Sequence, residues 1–302
     1  MNELFYILLL FVLGISIGSF SNVLIFRYNP DYNVFARARI SGRSHCPKCV
    51  KQLMWYELIP VVSFMIQCAR CRSCHASISW QYPAVELLGG ALFAGIPLFL
   101  NSFYGIANQT FFSLALPYWY YLLVLAWILA FWVLLLITAI DFKFFIIPNE
   151  LNFFLMILGV AITFFLSQNT HGTFAPFRDA FVEQYAMLFS PFSSVIWNHI
   201  AGAVLGFLFF LMLNVFTRGR GIGFGDVKLS FALGLIFGWP DIALIAALSF
   251  IIGGLWSAGL VMFGAKRMRD KVPFAPFFVA GALLTFFFGF LILKGYFAAF
   301  GL

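Results

Sequence analysis

Seven apolar runs, near residues 4–26, 83–100, 117–140, 150–167, 198–216, 241–264 and 275–294, constrain this chain more than any other feature. Each approaches the about 20 residues that an α-helix needs to cross roughly 30 Å of hydrocarbon. Hydrocarbon offers no partner to a backbone N–H or C=O, so open segments of this length and polarity cross as helices. The composition agrees: 63% of residues are hydrophobic, 42 are phenylalanine and 10% are charged, outside the range of soluble globular chains. The expected fold class is an all-α, polytopic membrane protein.

An eighth run, residues 227–239, is short enough to be re-entrant instead of crossing. Charge decides between the two. If it crosses, sixteen of the eighteen Lys and Arg fall on one face, and only Arg178 and Lys294 on the other. If it does not, Lys266, Arg267, Arg269 and Lys271 change sides and the bias weakens. The positive-inside rule therefore favours about eight transmembrane helices, with the basic loops in the cytoplasm and both termini outside. The net charge of +7 comes largely from those loops and suits an anionic leaflet; no basic domain stands apart to bind nucleic acid. The first run lacks a basic flank and a small-residue cleavage site, so it is expected to remain as a helix.

Three parts follow: a first transmembrane helix at 1–26, a cytoplasmic cysteine-rich subdomain at 27–82, and a seven-helix membrane domain at 83–302. The outer loop at 168–198 keeps Phe174, Phe177, Phe181, Met187, Phe189 and Phe192 and reads as an amphipathic interfacial helix. His171 and His199 read as interfacial residues, and the phenylalanines as lipid-facing bulk. No internal repeat is read.

All five cysteines lie in the inserted subdomain. Cys46-Pro-Lys-Cys49 and Cys71-Arg-Ser-Cys74 form two Cys-x-x-Cys pairs, close to the spacing of four-thiolate structural zinc sites. A metal there supplies folding energy that so small a subdomain cannot draw from its own core. A reducing cytoplasm disfavours disulfides. The alternative ligand is Cys68, which also makes a Cys-x-x-Cys pair with Cys71, and His45 and His75 flank the two pairs.

Ionisable groups at membrane depth are costly and mark function. Asp141 ends one apolar run, and Asp226 follows the glycine turn Gly221-Ile-Gly223-Phe-Gly225. The charge-derived topology puts both on the cytoplasmic face. Two carboxylates brought together cannot both ionise cheaply, so one stays protonated while the other remains a base. Such a pair can activate water against a peptide carbonyl. The glycines would allow positive φ and close approach of a substrate strand. The competing readings are a helix cap for Asp226 and an interfacial acid for Asp141. Glu86 and Glu150 read as first-turn acids favoured by the helix dipole, with Glu86 the better candidate for a substrate contact.

Together these segments resemble the prepilin peptidase family, the membrane aspartic peptidases that mature type IV pilins and related pseudopilins. The resemblance rests on Gly18-Ser-Phe-Ser-Asn22-Val-Leu-Ile-Phe-Arg27, the cysteine pairs followed by Tyr82-Pro83-Ala-Val-Glu86, Asp141 with Ile147-Pro148-Asn149, and Gly223-Phe-Gly225-Asp226 with Lys228. It implies a multi-pass protein of the bacterial inner membrane whose cytoplasmic active site, Asp141 and Asp226, removes a short basic leader. Gly223, Gly225, Lys228 and Glu86 would serve the substrate or its loop, and Cys46, Cys49, Cys71 and Cys74 would hold structural zinc. It further implies N-methylation of the new N-terminus from S-adenosylmethionine. Prepilins or pseudopilins and the bilayer are the implied partners. Two positions depart from the family pattern: Asn149, where many members carry an acid, and Leu58, where many carry asparagine. The alternatives are a peptidase without methyltransferase activity, a proton-coupled transporter using the same carboxylates, and a zinc-stabilised scaffold.

Overall fold

The computed structural model describes residues 3–30, 33–34, 42–104, 116–168, 180–189, 194–219, 221–265, 267 and 270–301. Arg37, Arg39, Arg178, Arg220, Lys266 and Arg269, used above for sidedness, lie outside the described residues, as do His171, Phe174, Phe177 and Phe192. The helices are α1 (Glu3–Phe26), α2 (Val62–Ile66), α3 (Gln81–Phe103), α4 (Tyr118–Phe144), α5 (Asn149–Ser167), α6 (Ala186–Phe189), α7 (Val195–Phe216), α8 (Phe224–Phe237), α9 (Asp241–Met262) and α10 (Ala275–Ala299). No strand occurs among the described residues, only isolated bridges His45–Gln52 and Arg70–Ser77.

Seven of these helices, α1, α3, α4, α5, α7, α9 and α10, are long and apolar enough to cross a membrane. The chain is thus an all-α, multi-pass membrane protein. At 14 residues α8 falls short of that length. It packs most heavily against α7 and α5, so protein covers much of a helix only about 21 Å long.

Two compact units divide within α3, between Leu98 and Phe99. In the first, α1 and α3 meet almost backbone to backbone: a Cβ on Gly14 would lie 2.5 Å from Gly89 O, and one on Gly18 would lie 2.7 Å from Glu86 Cα. Asn22 Nδ2 donates to Tyr82 O at 3.1 Å, and the Phe26 and Tyr82 rings stack at 4.5 Å. Helix α3 begins at Gln81. Pro83 is tolerated there because the first turn needs no intrahelical N–H from it. This early start corrects the reading of Glu86, which lies in the second turn and not the first. Its Oε2 instead accepts the Val61 N–H at 2.7 Å. Glu150 keeps its place in the first turn of α5.

In the second unit α4 is the most enclosed of the membrane-length helices, and its Trp127 and Phe131 pack with Phe181, Phe237 and Phe286. Phe210 stacks on Phe278 at 4.8 Å. These phenylalanines form core, which corrects the lipid-facing reading for them; Phe153 and Phe164 do face outward. About half of the outer loop expected to lie as an amphipathic helix falls outside the described residues. Its described part is a 3-10 turn, Glu183–Tyr185, followed by the four-residue α6. Phe181 is buried, and the Phe181 N–H donates to Asp241 at 2.7 Å. His199 is 1% exposed, not interfacial, with Nδ1 2.8 Å from Leu235 O. The Trp239 N–H donates to Asn198 O at 3.0 Å, a second tie between α7 and the end of α8.

Candidate active site and metal centre

The cysteine pairs fold as two copies of one knuckle. Cys46 N–H donates to Lys51 O and Val50 N–H to Cys46 O; Cys71 N–H donates to Ala76 O and His75 N–H to Cys71 O. Val50 and His75 occupy equivalent left-handed positions, at φ 58° and 55°. An eight-residue repeat, 45–52 and 70–77, therefore exists where none was read, its signal being the matched Cys-x-x-Cys offsets. The two copies bring Cys46, Cys49, Cys71 and Cys74 sulfurs within 4.8 Å of one another. Cys68, exposed, is not in this group.

These residues fit a tetrahedral metal. Sulfurs at about 2.3 Å from one ion lie about 3.8 Å apart, and the Cys46 and Cys74 sulfurs are 3.8 Å apart. The N–H groups of Cys49 and Lys48 hold the Cys46 thiol below its ordinary value, and those of Cys74 and Ser73 lower Cys71 to about 6. Cys74 is pushed up to about 11; the Ala76 N–H opposes this, but burial and the three neighbouring thiols outweigh it. Four sulfurs sharing one point cannot all ionise without a cation between them.

In the second unit Asp141 sits in the last turn of α4, which closes on Phe145 in the left-handed region. The residue is 5% exposed, and its Oδ2 accepts the N–H of Ala275, first residue of α10, at 3.2 Å. Asp226 is the third residue of α8 and 9% exposed. Its Oδ2 accepts the Gly223 N–H at 3.0 Å while its own N–H donates to Gly223 O at 3.1 Å. Each carboxylate is thus held by one oxygen at a helix N-terminus, where the dipole favours negative charge. Both line one cavity of about 1730 Å³.

The glycine turn differs from its expected geometry. Gly223 has φ −76° and ψ 159°, ordinary extended backbone, and positive φ among the described residues of this loop belongs to Arg218 and Gly219. Gly225 instead permits a close approach within the chain, since a Cβ there would meet Ile147 at 3.3 Å. Lys228 Nζ donates to Asn149 Oδ1 at 2.8 Å and lies over the Phe224 ring, and both Lys228 and Asn149 line the cavity. Glu86 belongs to the first unit and is not among the residues lining this cavity.

Sequence reading passed over the groups that position Asp226. Asn214 Nδ2 donates to Ile222 O at 2.7 Å and ties the glycine loop to α7. Gly202 and Gly206 of α7 meet Gly234 and Ser230 of α8; a Cβ on Gly202 would lie 2.8 Å from Gly234 O, and Ser230 Oγ donates to Gly206 O at 3.2 Å. The signal was available, because Gly202-x-x-x-Gly206 is a spacing that lets membrane helices approach closely.

Residues 12–100 match the family described as Bacterial Peptidase A24 N-terminal domain, and residues 127–258 match the Type IV leader peptidase family. A Bacillus subtilis protein named prepilin leader peptidase/N-methyltransferase is 32% identical over 95% of this chain and 96% of its own. A Burkholderia pseudomallei protein of the same name is 32% identical over 92% of this chain and 84% of its own, and one from Aeromonas salmonicida is 27% identical over 96% and 94%. No solved structure matches. With two family models matched in chain order and relatives aligned across nearly their whole lengths, the chain belongs to the type IV leader peptidase family.

Proposed function

We propose that the chain is an aspartic endopeptidase that removes the short basic leader of type IV prepilins or pseudopilins at the cytoplasmic face of the bacterial inner membrane, and that it also N-methylates the new N-terminus. The observation that carries this reading is the pair Asp141 and Asp226 on one cavity, each steadied by a helix start. The ionised carboxylate takes a proton from water, the water oxygen attacks the scissile carbonyl, and the protonated carboxylate donates to the carbonyl oxygen. Collapse of the tetrahedral intermediate then breaks the C–N bond as the carboxyl that took the water proton gives it to the leaving amine, while a hydroxyl of the intermediate returns its proton to the other carboxylate. Gly223 and Gly225 set the loop that carries Asp226, while Lys228 and Asn149 face the same cavity. Both acids lie within one turn of helix ends, which suits a substrate entering from the membrane surface better than a relay at the midplane. The basic loops support a cytoplasmic orientation.

In this reading residues 83–302 carry the peptidase, 1–26 the first crossing, and 27–82 a subdomain held by zinc on Cys46, Cys49, Cys71 and Cys74. Zinc there supplies cross-linking of the two knuckles and no chemistry on substrate. The methyl donor is S-adenosylmethionine, which supplies an electrophilic methyl group to the free amine. Glu86, in the first unit, is assigned to hold the Val61 backbone, with any substrate contact secondary to that.

The test is cleavage of a prepilin in membranes carrying the full chain, Asp141→Asn or Asp226→Asn, with labelled S-adenosylmethionine present. Cleavage by either variant at the wild-type rate refutes the dyad, and a correctly cleaved but unlabelled product reduces the protein to a peptidase.

A further inference from the structure

The segment between the two knuckles turns apolar side chains outward. In the 3-10 turn Trp55–Leu58, Glu57 is buried and its carboxylate accepts the Met54 N–H at 2.8 Å. Trp55 is 76% exposed, and Leu58, one 3-10 turn on, is exposed beside it. In α2, Phe64 is buried, while Val62, Met65 and Ile66 are exposed at 48%, 71% and 65%. Their spacing of i, i+3 and i+4 puts them on one side of the helix, opposite Phe64. Two consecutive turns therefore each hide one side chain and present apolar ones to the outside. Exposed apolar side chains gathered in one short segment of so small a unit mark a contact surface.

Charge identifies the contact. Residues 27–82 carry eight Lys and Arg against two acids, Asp31 and Glu57. Glu57 is buried on Met54, whereas Lys48, Lys51, Arg70 and Arg72 are all exposed. The tether points the same way, because the subdomain leaves the membrane at the end of α1 and re-enters at the start of α3, and those two ends are pinned by the Phe26–Tyr82 stack. An apolar face with Trp at its edge and a basic surround is the composition of an interfacial anchor.

We propose that Trp55, Leu58, Val62, Met65 and Ile66 seat the cysteine subdomain in the headgroup region of an anionic leaflet, the one from which α1 and α3 emerge. The inference does not depend on which reaction the second unit performs. Seating fixes the knuckles at the membrane surface instead of leaving them on a free tether.

The experiment uses the full chain in bilayers containing phosphatidylglycerol and lipid brominated near the carbonyl end of the acyl chain. Trp55 emission is obtained as the difference between the wild-type chain and Trp55→Phe. The expected result is a blue-shifted maximum with roughly two-fold quenching by the brominated lipid, as for an indole at headgroup depth. The double variant Val62→Asp/Ile66→Asp is expected to lose that quenching, with an unchanged alkylation pattern of the five cysteines as the check that the subdomain stays folded. Trp55 emission that brominated lipid leaves unchanged, whether water-like or shielded by protein, overturns the proposal. Equal quenching in bilayers without anionic lipid overturns the assignment to an anionic surface.

Discussion

Asp141, in the last turn of α4, accepts the backbone N–H of Ala275 at 3.2 Å and so closes the first turn of α10 from 134 residues away. In the proposed mechanism one carboxylate thereby has two separable duties, a structural one on Oδ2 and a chemical one in the cavity. Asp141→Asn keeps an oxygen able to accept the Ala275 N–H, whereas Asp141→Leu leaves that donor buried without a partner. Both variants are expected to lose processing, by roughly 10²–10⁴-fold for the asparagine. Only the leucine variant is expected to lose stability as well, by about 1–3 kcal/mol. Thermal unfolding in detergent beside a cleavage assay separates the two effects; equal melting temperatures for both variants would deny the capping role.

The position of Asp226 depends on a helix contact with no room for side chains. A Cβ on Gly234 would run into the backbone of Gly202 and Ala203, so Gly234→Ala must push α8 from α7. Overpacking of this kind costs typically 1–3 kcal/mol. Gly295→Ala, with open space around the added methyl, should instead be neutral or stabilising by up to about 1 kcal/mol, since alanine is the better helix former. The expected pattern is a lower melting temperature and slower cleavage for the first and neither for the second. Wild-type cleavage by Gly234→Ala would show that α8 can shift without disturbing Asp226.

The cysteine geometry predicts one zinc per chain. Cys46→Ser and Cys71→Ser should each lose it, whereas Cys68→Ser should retain it, because only the first two contribute sulfurs to the four-membered cluster. Metal analysis of the purified variants reads this directly. Retention by Cys71→Ser would mean that Cys68 or a histidine takes its place.

Much of this architecture was legible in the sequence. The length of an apolar run sets a crossing almost by itself, so all seven long helices appear near their expected positions. The matched Cys-x-x-Cys spacing likewise led to a four-sulfur cluster. What could not be read was which side of each helix meets protein. Phe181, Phe237 and Phe286 have the same composition signal as Phe153 and Phe164, yet the first three form core and the last two face outward. Partner helices decide that difference. Glu86 escaped for a similar reason, since its contact is a backbone N–H at Val61, a residue held at φ 61° by a fold that no local pattern announces. The glycine loop was located correctly but argued from positive φ, when what it needed was space beside Ile147 and Thr217.

Asp241 tests how far a buried acid in membrane protein can be taken as chemistry. It is fully buried at the start of α9, and sequence reading gave it no role. Its two oxygens accept the Phe181 and Val182 N–H groups at 2.7 and 3.3 Å, and it is not among the residues lining the cavity that holds Asp141 and Asp226. Through these two hydrogen bonds it is a clasp for the segment that delivers Phe181 to the aromatic core. Asp241→Asn should cleave prepilin at a near wild-type rate per folded molecule, in contrast to Asp141→Asn and Asp226→Asn. Asp241→Leu strands two buried donors, at about 1–3 kcal/mol each, and should unfold at lower temperature while its folded fraction stays active. Cleavage normalised to folded protein is the deciding measurement, and its loss in Asp241→Asn would place a third carboxylate in the reaction.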